Sequence, residues 1–193
     1  YALQQDRLFF DDIIPELTPG THYGNSCPHC LGKQSLMGAG RFSWSVTDPD
    51  KITCQACGTV YPNEDYPETG VLECPRMGQT FTYYETPGER ENPDDRASYA
   101  LRWLGDRPKM TTFAGIVRDR KVGWAGRQAI TLAKVYALTG DIACAERAAW
   151  ILDRFARVFP GYLYHSYDGS FADLPPAEVS ANMGVHGGGG RFP

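Results

Sequence analysis

The hydrophobic residues of this chain recur at helical spacing in the second half of the sequence and form only short runs in the first half. One set, spaced three or four residues apart, predicts a helix over 127–139; its members are Ala129, Leu132, Ala133 and Tyr136. A second set predicts a helix over 142–158; its members are Ala145, Ala148, Ala149, Leu152, Phe155, Ala156 and Phe159.

The link between these two helices predicts how they are arranged. Gly140 can end the first helix in the left-handed conformation, and Asp141 can cap the start of the second. A link this short requires an antiparallel hairpin. We expect its buried residues to be Leu132, Tyr136, Ala148, Leu152 and Phe155. One hairpin cannot bury all of this apolar surface, so we also expect further helices in a longer polypeptide.

The first half of the chain is predicted to contain short elements separated by turns. Residues 3–14 read as an amphipathic helix that stops before Pro15. Four short strands follow in the prediction, with the first pair around a turn at 48–50 and the second around 75–78; they cover 41–46, 51–53, 71–74 and 80–84. The segment 61–70 reads as a turn-rich connector.

Two Cys-x-x-Cys motifs carry the clearest chemical signal. Cys27 and Cys30 form the first, Cys54 and Cys57 form the second, and 23 residues separate the two. Four converging thiolates at such a spacing predict a tetrahedral, structural Zn²⁺ site in a zinc ribbon. A pair of disulfides and a redox-active Cys-x-x-Cys are the alternatives. Cys74 and Cys144 remain, either as a disulfide or as two buried thiols.

Charge and composition limit the classes of partner. The net charge is −4; residues 1–99 carry 7 Lys/Arg and 15 Asp/Glu, whereas residues 100–193 carry 12 and 8. The second half is therefore the expected place for an anionic ligand, but its basic excess is too small to predict nucleic-acid binding. No apolar run is long enough to cross a membrane.

The predicted hairpin resembles the first helical hairpin of the heparinase II/III-like polysaccharide lyases. The resemblance is carried by Leu132–Asp141 with its Thr-Gly-Asp turn, by Ala145–Ala149, by Ile151–Ala156 and by the closing Phe159–Tyr162. The paired cysteine motifs and Tyr61-Pro62-Asn63 add weaker support. The resemblance implies an incomplete (α/α) toroid, with β-sandwich domains following in the whole protein, and a periplasmic or extracellular location.

The resemblance also implies a reaction, β-elimination on a polysaccharide that contains uronic acid. Such a site neutralises the C5 carboxylate, removes the C5 proton and protonates the departing O4. In the family, an Asn-His pair and a catalytic Tyr usually lie well downstream of the hairpin. Asn182 and His186 are not adjacent and follow the hairpin too closely, so the catalytic residues are unknown and expected outside this chain. His186 and Arg191 are the candidates for substrate contact, with Arg191 as a carboxylate clamp.

The sequence thus predicts a mainly α fold: the start of an incomplete (α/α) toroid with a small β zinc-ribbon insertion. The predicted divisions are an N-terminal helical segment over 1–20, the ribbon over 21–60, a connector with short strands over 61–114, and the hairpin and a loop over 115–193. The expected partners are an anionic polysaccharide and the rest of a longer polypeptide. The alternatives are a non-catalytic interaction module and a glycoside hydrolase on the same toroid, which would need two carboxylates across a cleft.

Overall fold

A computed structural model describes residues 1–19, 27–30, 42–73, 78–91, 111–162 and 177–178. These residues form helices and two small antiparallel sheets. The fold of the described part is therefore mixed helical and β. The predicted mainly α fold is confirmed only as a partly helical chain with small β sheets, and the (α/α) toroid stays a prediction.

Helix α1 (Arg7–Ile13) is shorter than the predicted helix over 3–14. Residues Ala2–Gln4 form a separate 3₁₀ turn. The chain is extended at Asp6, whose carboxylate accepts a hydrogen bond from Phe9 N at 2.9 Å. A residue that caps a helix start in this way lies outside the helix, which is why α1 begins at Arg7.

Helix α2 (Pro87–Glu91) is a short helix of five residues.

Helices α3 (Phe113–Thr139) and α4 (Ile142–Val158) form the predicted hairpin. Gly140 has a φ of 72°, and the Asp141 side chain accepts from Ala143 N at 2.9 Å, so both predicted caps are confirmed. Helix α3 begins 14 residues before the predicted start at 127. Its start is set by Thr112, whose hydroxyl accepts a hydrogen bond from Gly115 N at 2.9 Å.

One hydrophobic core joins α1 to the hairpin. Ile151 and Phe10 are fully buried in it, and Trp124 and Trp150 pack at its edges. Phe9 makes an edge-to-face contact with Trp124 at 5.9 Å, while Phe10 lies 6.4 Å from Trp150. The two aromatic residues of α1 therefore pack against different helices of the hairpin, Phe9 against α3 and Phe10 against α4.

The predicted burial of the hairpin is only partly correct. Leu132 and Ala148 are buried and Phe155 is partly buried, but Leu152 is 59% exposed and Tyr136 is 40% exposed. The apolar residues of α4 cover more than half of its circumference, and α1 and α3 bury the arc that contains Cys144, Ala148, Ile151 and Val158. Leu152 follows Ile151 by about 100° around the helix and lies outside that arc.

The first sheet consists of β1 (Phe42–Ser45), β2 (Asp48–Cys54) and β3 (Val60–Tyr61), in that order. The predicted turn at 48–50 is wrong, because β1 and β2 are joined at 46–47 and Asp48 already pairs with Ser45. The register then shifts to pair Trp44 with Ile52, which leaves the residues around Pro49 outside regular pairing. Proline has no amide hydrogen for a ladder, so such a bulge accommodates it.

The second sheet is the predicted hairpin of β4 (Gly70–Glu73) and β5 (Thr80–Tyr83), paired antiparallel from Gly70–Tyr83 to Glu73–Thr80. Its turn lies outside the described residues except for Gly78 and Gln79. Directly after β5, Tyr84 N donates to Thr111 O at 2.8 Å, just before α3. The end of this sheet therefore lies beside the start of the long helix.

A second hydrophobic core joins the first sheet to the beginning of α3. Its fully buried members are Tyr61, Phe113, Ile116 and Ile52, and they pack with Phe42, Tyr84, Val117, Cys27 and Cys54. The cysteine motifs and the first two turns of α3 thus share one core. None of the helices in the described ranges combines the length and hydropathy that crossing a bilayer requires.

Candidate metal centre

Local backbone structure brings the four cysteines together. Cys27 precedes Pro28–Cys30, which form one turn of 3₁₀ helix, and Cys30 N donates to Cys27 O at 3.0 Å. Cys54 ends β2, and Cys57 follows in a turn that Gly58 closes at a φ of 76°. Gly58 N donates to Cys54 O at 2.8 Å. Each motif is therefore a tight turn that directs two sulfurs to one side.

The distances between the sulfurs are compatible with a metal site. All four Sγ atoms lie within 4.8 Å of one another. Cys27 Sγ is 3.7 Å from Cys57 Sγ, and Cys30 Sγ is 3.9 Å from Cys54 Sγ. A tetrahedral zinc ion with bonds of about 2.3 Å requires sulfurs about 3.8 Å apart, so the two distances match the edges of a ZnS₄ tetrahedron.

The cysteines are free thiols rather than disulfides. Cys27, Cys30, Cys54, Cys57 and Cys144 are all unpaired, and the sulfur distances in the cluster are almost twice the length of an S–S bond. Cys144 is a buried thiol of the helical core. Its possible partner Cys74 lies outside the described residues.

The surroundings shift the pKa values of Cys27, Cys30 and Cys57 in different directions. Burial raises the pKa of Cys27, and burial together with the neighbouring thiols raises the pKa of Cys30 to about 12. Burial opposes ionisation of Cys57 as well, but the hydroxyl and amide of Thr59 and the thiols of Cys30 and Cys54 lower its pKa to about 6. Metal binding at this cluster must therefore displace protons from Cys27 and Cys30.

Several polar groups surround the sulfurs. Thr59 Oγ1 lies 3.1 Å from Cys57 Sγ, and Tyr61 Oη lies 3.0 Å from Cys27 Sγ. Burial, and then the contact with Cys27, raise the pKa of Tyr61 well above its usual range. Tyr61 falls in the segment predicted as a turn-rich connector over 61–70, and its contact with the cluster was not predicted. The alternation of exposed Val60 and buried Tyr61 in the two-residue strand β3 is too short a signal to detect.

The other candidate residues are divided between the described part of the chain and the rest. His29 is exposed, and its Nδ1 lies 3.2 Å from Tyr66 Oη, so it is not a fifth member of the cluster. His186, Arg191 and Asn182 lie outside the described residues, and their roles remain predictions.

Four thiols at these distances form the donor set that zinc prefers, and a set made wholly of sulfur excludes hard cations such as Mg²⁺ and Ca²⁺. Comparisons with protein-family models, with curated proteins and with solved structures found no match for this chain.

Proposed function

We propose that Cys27, Cys30, Cys54 and Cys57 bind one Zn²⁺ ion with a structural role. The observation that carries this proposal is the agreement of two sulfur–sulfur distances, 3.7 and 3.9 Å, with the edge of a ZnS₄ tetrahedron. Four protein ligands occupy every position of a tetrahedral ion. No position is left for water or substrate, so the ion stabilises the fold and takes no part in a reaction.

The ion would connect two segments that lie apart in the sequence. It links the 3₁₀ turn at Pro28–Cys30 to the end of β2 and to the turn at Cys57. Structural zinc sites typically contribute on the order of 10 kcal/mol to the folding of small domains. This is enough to determine whether the ribbon is folded at all.

Cobalt substitution tests the site without any activity assay. The full chain, purified without metal, is titrated with Co²⁺ under reducing conditions. We expect one ion per chain, with the intense visible bands of tetrahedral cobalt and thiolate-to-cobalt charge transfer in the near ultraviolet. Cys57→Ser should weaken these bands, whereas Cys144→Ala, which removes a buried thiol outside the cluster, should leave them unchanged. Octahedral cobalt spectra, or equal effects of the two variants, would exclude the site.

We further propose that the chain is the N-terminal part of a polysaccharide lyase that cleaves a polymer containing uronic acid by β-elimination. The resemblance of the hairpin supports this, since its Thr139-Gly140-Asp141 turn adopts the capping geometry that such a hairpin requires. The positive balance after residue 100 suits an anionic polymer. In this proposal the hairpin begins an (α/α) toroid in a periplasmic or extracellular protein, and the catalytic residues lie in the rest of the polypeptide.

The reaction class has a direct optical test. β-Elimination leaves a C4–C5 double bond conjugated to the carboxylate, which absorbs in the near ultraviolet, whereas hydrolysis creates a reducing end without this absorbance. We expect the polypeptide that contains this chain to generate the absorbance from at least one uronic-acid polymer, and the 193-residue chain alone to generate none. Reducing ends without absorbance would indicate a glycoside hydrolase. Neither signal, with tight binding of a protein instead, would indicate an interaction module.

Activity of the 193-residue chain itself would place the catalytic residues within it. His186→Ala and Arg191→Ala would then be the first variants to assay, because these residues are the candidates for contact with the sugar and its carboxylate.

A further inference from the structure

Tyr61 contacts both the cysteine cluster and the long helix. It is fully buried, and its hydroxyl lies 3.0 Å from Cys27 Sγ. Its ring stacks on Phe113, with 4.3 Å between the ring centroids and 12° between the planes. Phe113 is the first residue of α3. A single side chain therefore touches a candidate metal ligand at one end and the start of a 27-residue helix at the other.

The contact between the Tyr61 hydroxyl and Cys27 Sγ takes one direction only when the metal is bound. Without metal, either the hydroxyl or the thiol can be the donor. A metal-bound cysteine is a thiolate and can only accept, so the two groups are complementary when the metal is bound.

The two ends of the cluster differ in how their charge is solvated. Cys57 is exposed and has Thr59 beside it, so water can solvate its thiolate. Cys27 is buried, and its sulfur lies 3.0 Å from the Tyr61 hydroxyl. A buried charge without a hydrogen-bond donor is costly, so Cys27 depends on this hydroxyl in a way that Cys57 does not.

We propose that Tyr61 is a positioning residue of the metal centre, which orients the Cys27 thiolate through its hydroxyl and holds the start of α3 through its ring. The proposal rests on the Zn²⁺ site proposed above. Residues that hydrogen-bond to metal ligands typically change metal affinity by about 10–100-fold when they are replaced. The packing of Tyr61 between Cys27 and Phe113 also couples metal binding to α3.

Tyr61→Phe tests the role of the hydroxyl, since it keeps the ring that stacks on Phe113 and removes only the donor to Cys27. Tyr66→Phe is the matched control: Tyr66 packs edge-on against Tyr61 at 5.6 Å, but its hydroxyl contacts His29 rather than a cysteine. The 193-residue chain and both variants are titrated with Co²⁺ and competed with a chromogenic chelator. We expect Tyr61→Phe to bind one ion about 10–100-fold more weakly and with a shifted thiolate-to-cobalt band. Tyr66→Phe should differ from the wild type by less than about threefold.

A second measurement uses the wild-type chain alone and holds even if Tyr61→Phe fails to fold. Amide hydrogen exchange is followed with and without Zn²⁺. We expect zinc to slow exchange in the first two turns of α3 more than around Ile151 of α4, which lies in the other core.

The outcomes separate this inference from the metal site itself. If the wild type binds neither Co²⁺ nor Zn²⁺, the proposed site is wrong and this inference falls with it. If the wild type binds metal but Tyr61→Phe has the same affinity and the same spectrum, the hydroxyl has no role at the centre. If zinc protects α3 and α4 equally or not at all, the proposed coupling through Tyr61 and Phe113 is wrong.

Discussion

Glu68 Oε1 accepts a hydrogen bond from Ala114 N at 3.1 Å, so a side chain from the segment before β4 caps the first turn of α3. The other carboxylate oxygen, Oε2, accepts from Thr82 Oγ1 of β5 at 2.8 Å. Arg118 lies one turn further along the helix, where its Nε donates to Thr18 O at 2.8 Å. One carboxylate thus joins the second sheet to the helix that also holds the ribbon.

This arrangement predicts a pH-dependent effect of Glu68→Gln. Burial raises the pKa of Glu68 even though Arg118 and the hydrogen bonds oppose the shift. Folding therefore favours the protonated form, and the ionised carboxylate costs stability at neutral pH. Glutamine keeps an acceptor for Ala114 and carries no charge, so we expect Glu68→Gln to be more stable than the wild type at pH 7.

The sign of the effect follows from the raised pKa. The advantage of Glu68→Gln should shrink as the pH falls through the folded-state pKa, because the wild-type carboxyl then becomes neutral as well. Urea unfolding at several pH values measures it. The exposed Glu64→Gln is the control and should change the free energy of unfolding by less than about 0.5 kcal/mol. A loss of stability in Glu68→Gln that grows as the pH rises would show instead that the charge itself is required.

The buried face of α4 predicts opposite results for two neighbouring residues. Ile151 is fully buried, so Ile151→Ala should lower the free energy of unfolding by about 2–5 kcal/mol. Leu152 is 59% exposed, so Leu152→Ala should change it by less than about 0.5 kcal/mol. Denaturant unfolding of the two variants provides the comparison. A larger loss for Leu152→Ala would mean that the face of α4 that carries Leu152 is covered in solution.

For Gly126 inside α3 and Gly140 at its C-terminal end, we expect substitutions to have effects of opposite sign. Gly140 has a φ of 72°, so Gly140→Ala should destabilise the hairpin by roughly 1–2 kcal/mol although no atom lies within 4 Å of the new methyl group. Gly126 lies inside the helix with the same open space, so Gly126→Ala should stabilise it by about 0.5–1 kcal/mol. Thermal unfolding followed by circular dichroism measures both. Equal shifts in one direction would contradict the assigned C-cap.

Sequence patterns predicted the features whose cause is local. The Gly140 and Asp141 caps depend on the conformation of one or two residues, so residue type alone indicates them. The proximity of Cys27, Cys30, Cys54 and Cys57 follows from two turns and one spacing. The hairpin of β4 and β5 likewise has its signal within the sequence of its own strands.

The features that the sequence did not predict depend on packing between distant segments. Leu152 and Ile151 are equally apolar, and only the positions of α1 and α3 determine which one is buried. Helix α3 extends back to Phe113 because Thr112 and Glu68 cap it there, and Glu68 is 46 residues away from Ala114. Tyr61 joins the metal centre through a contact with Cys27, 34 residues earlier.

X-ray absorption at the zinc edge tests the central claim most directly. It is measured on the purified chain together with the zinc content of the same sample. The four cysteines predict one zinc per chain with four sulfur neighbours at about 2.3 Å, and Cys57→Ser should reduce the sulfur count to three. A chain that contains no zinc after expression and purification in its presence, or a zinc ion surrounded mainly by nitrogen and oxygen at about 2.0–2.1 Å, would contradict it.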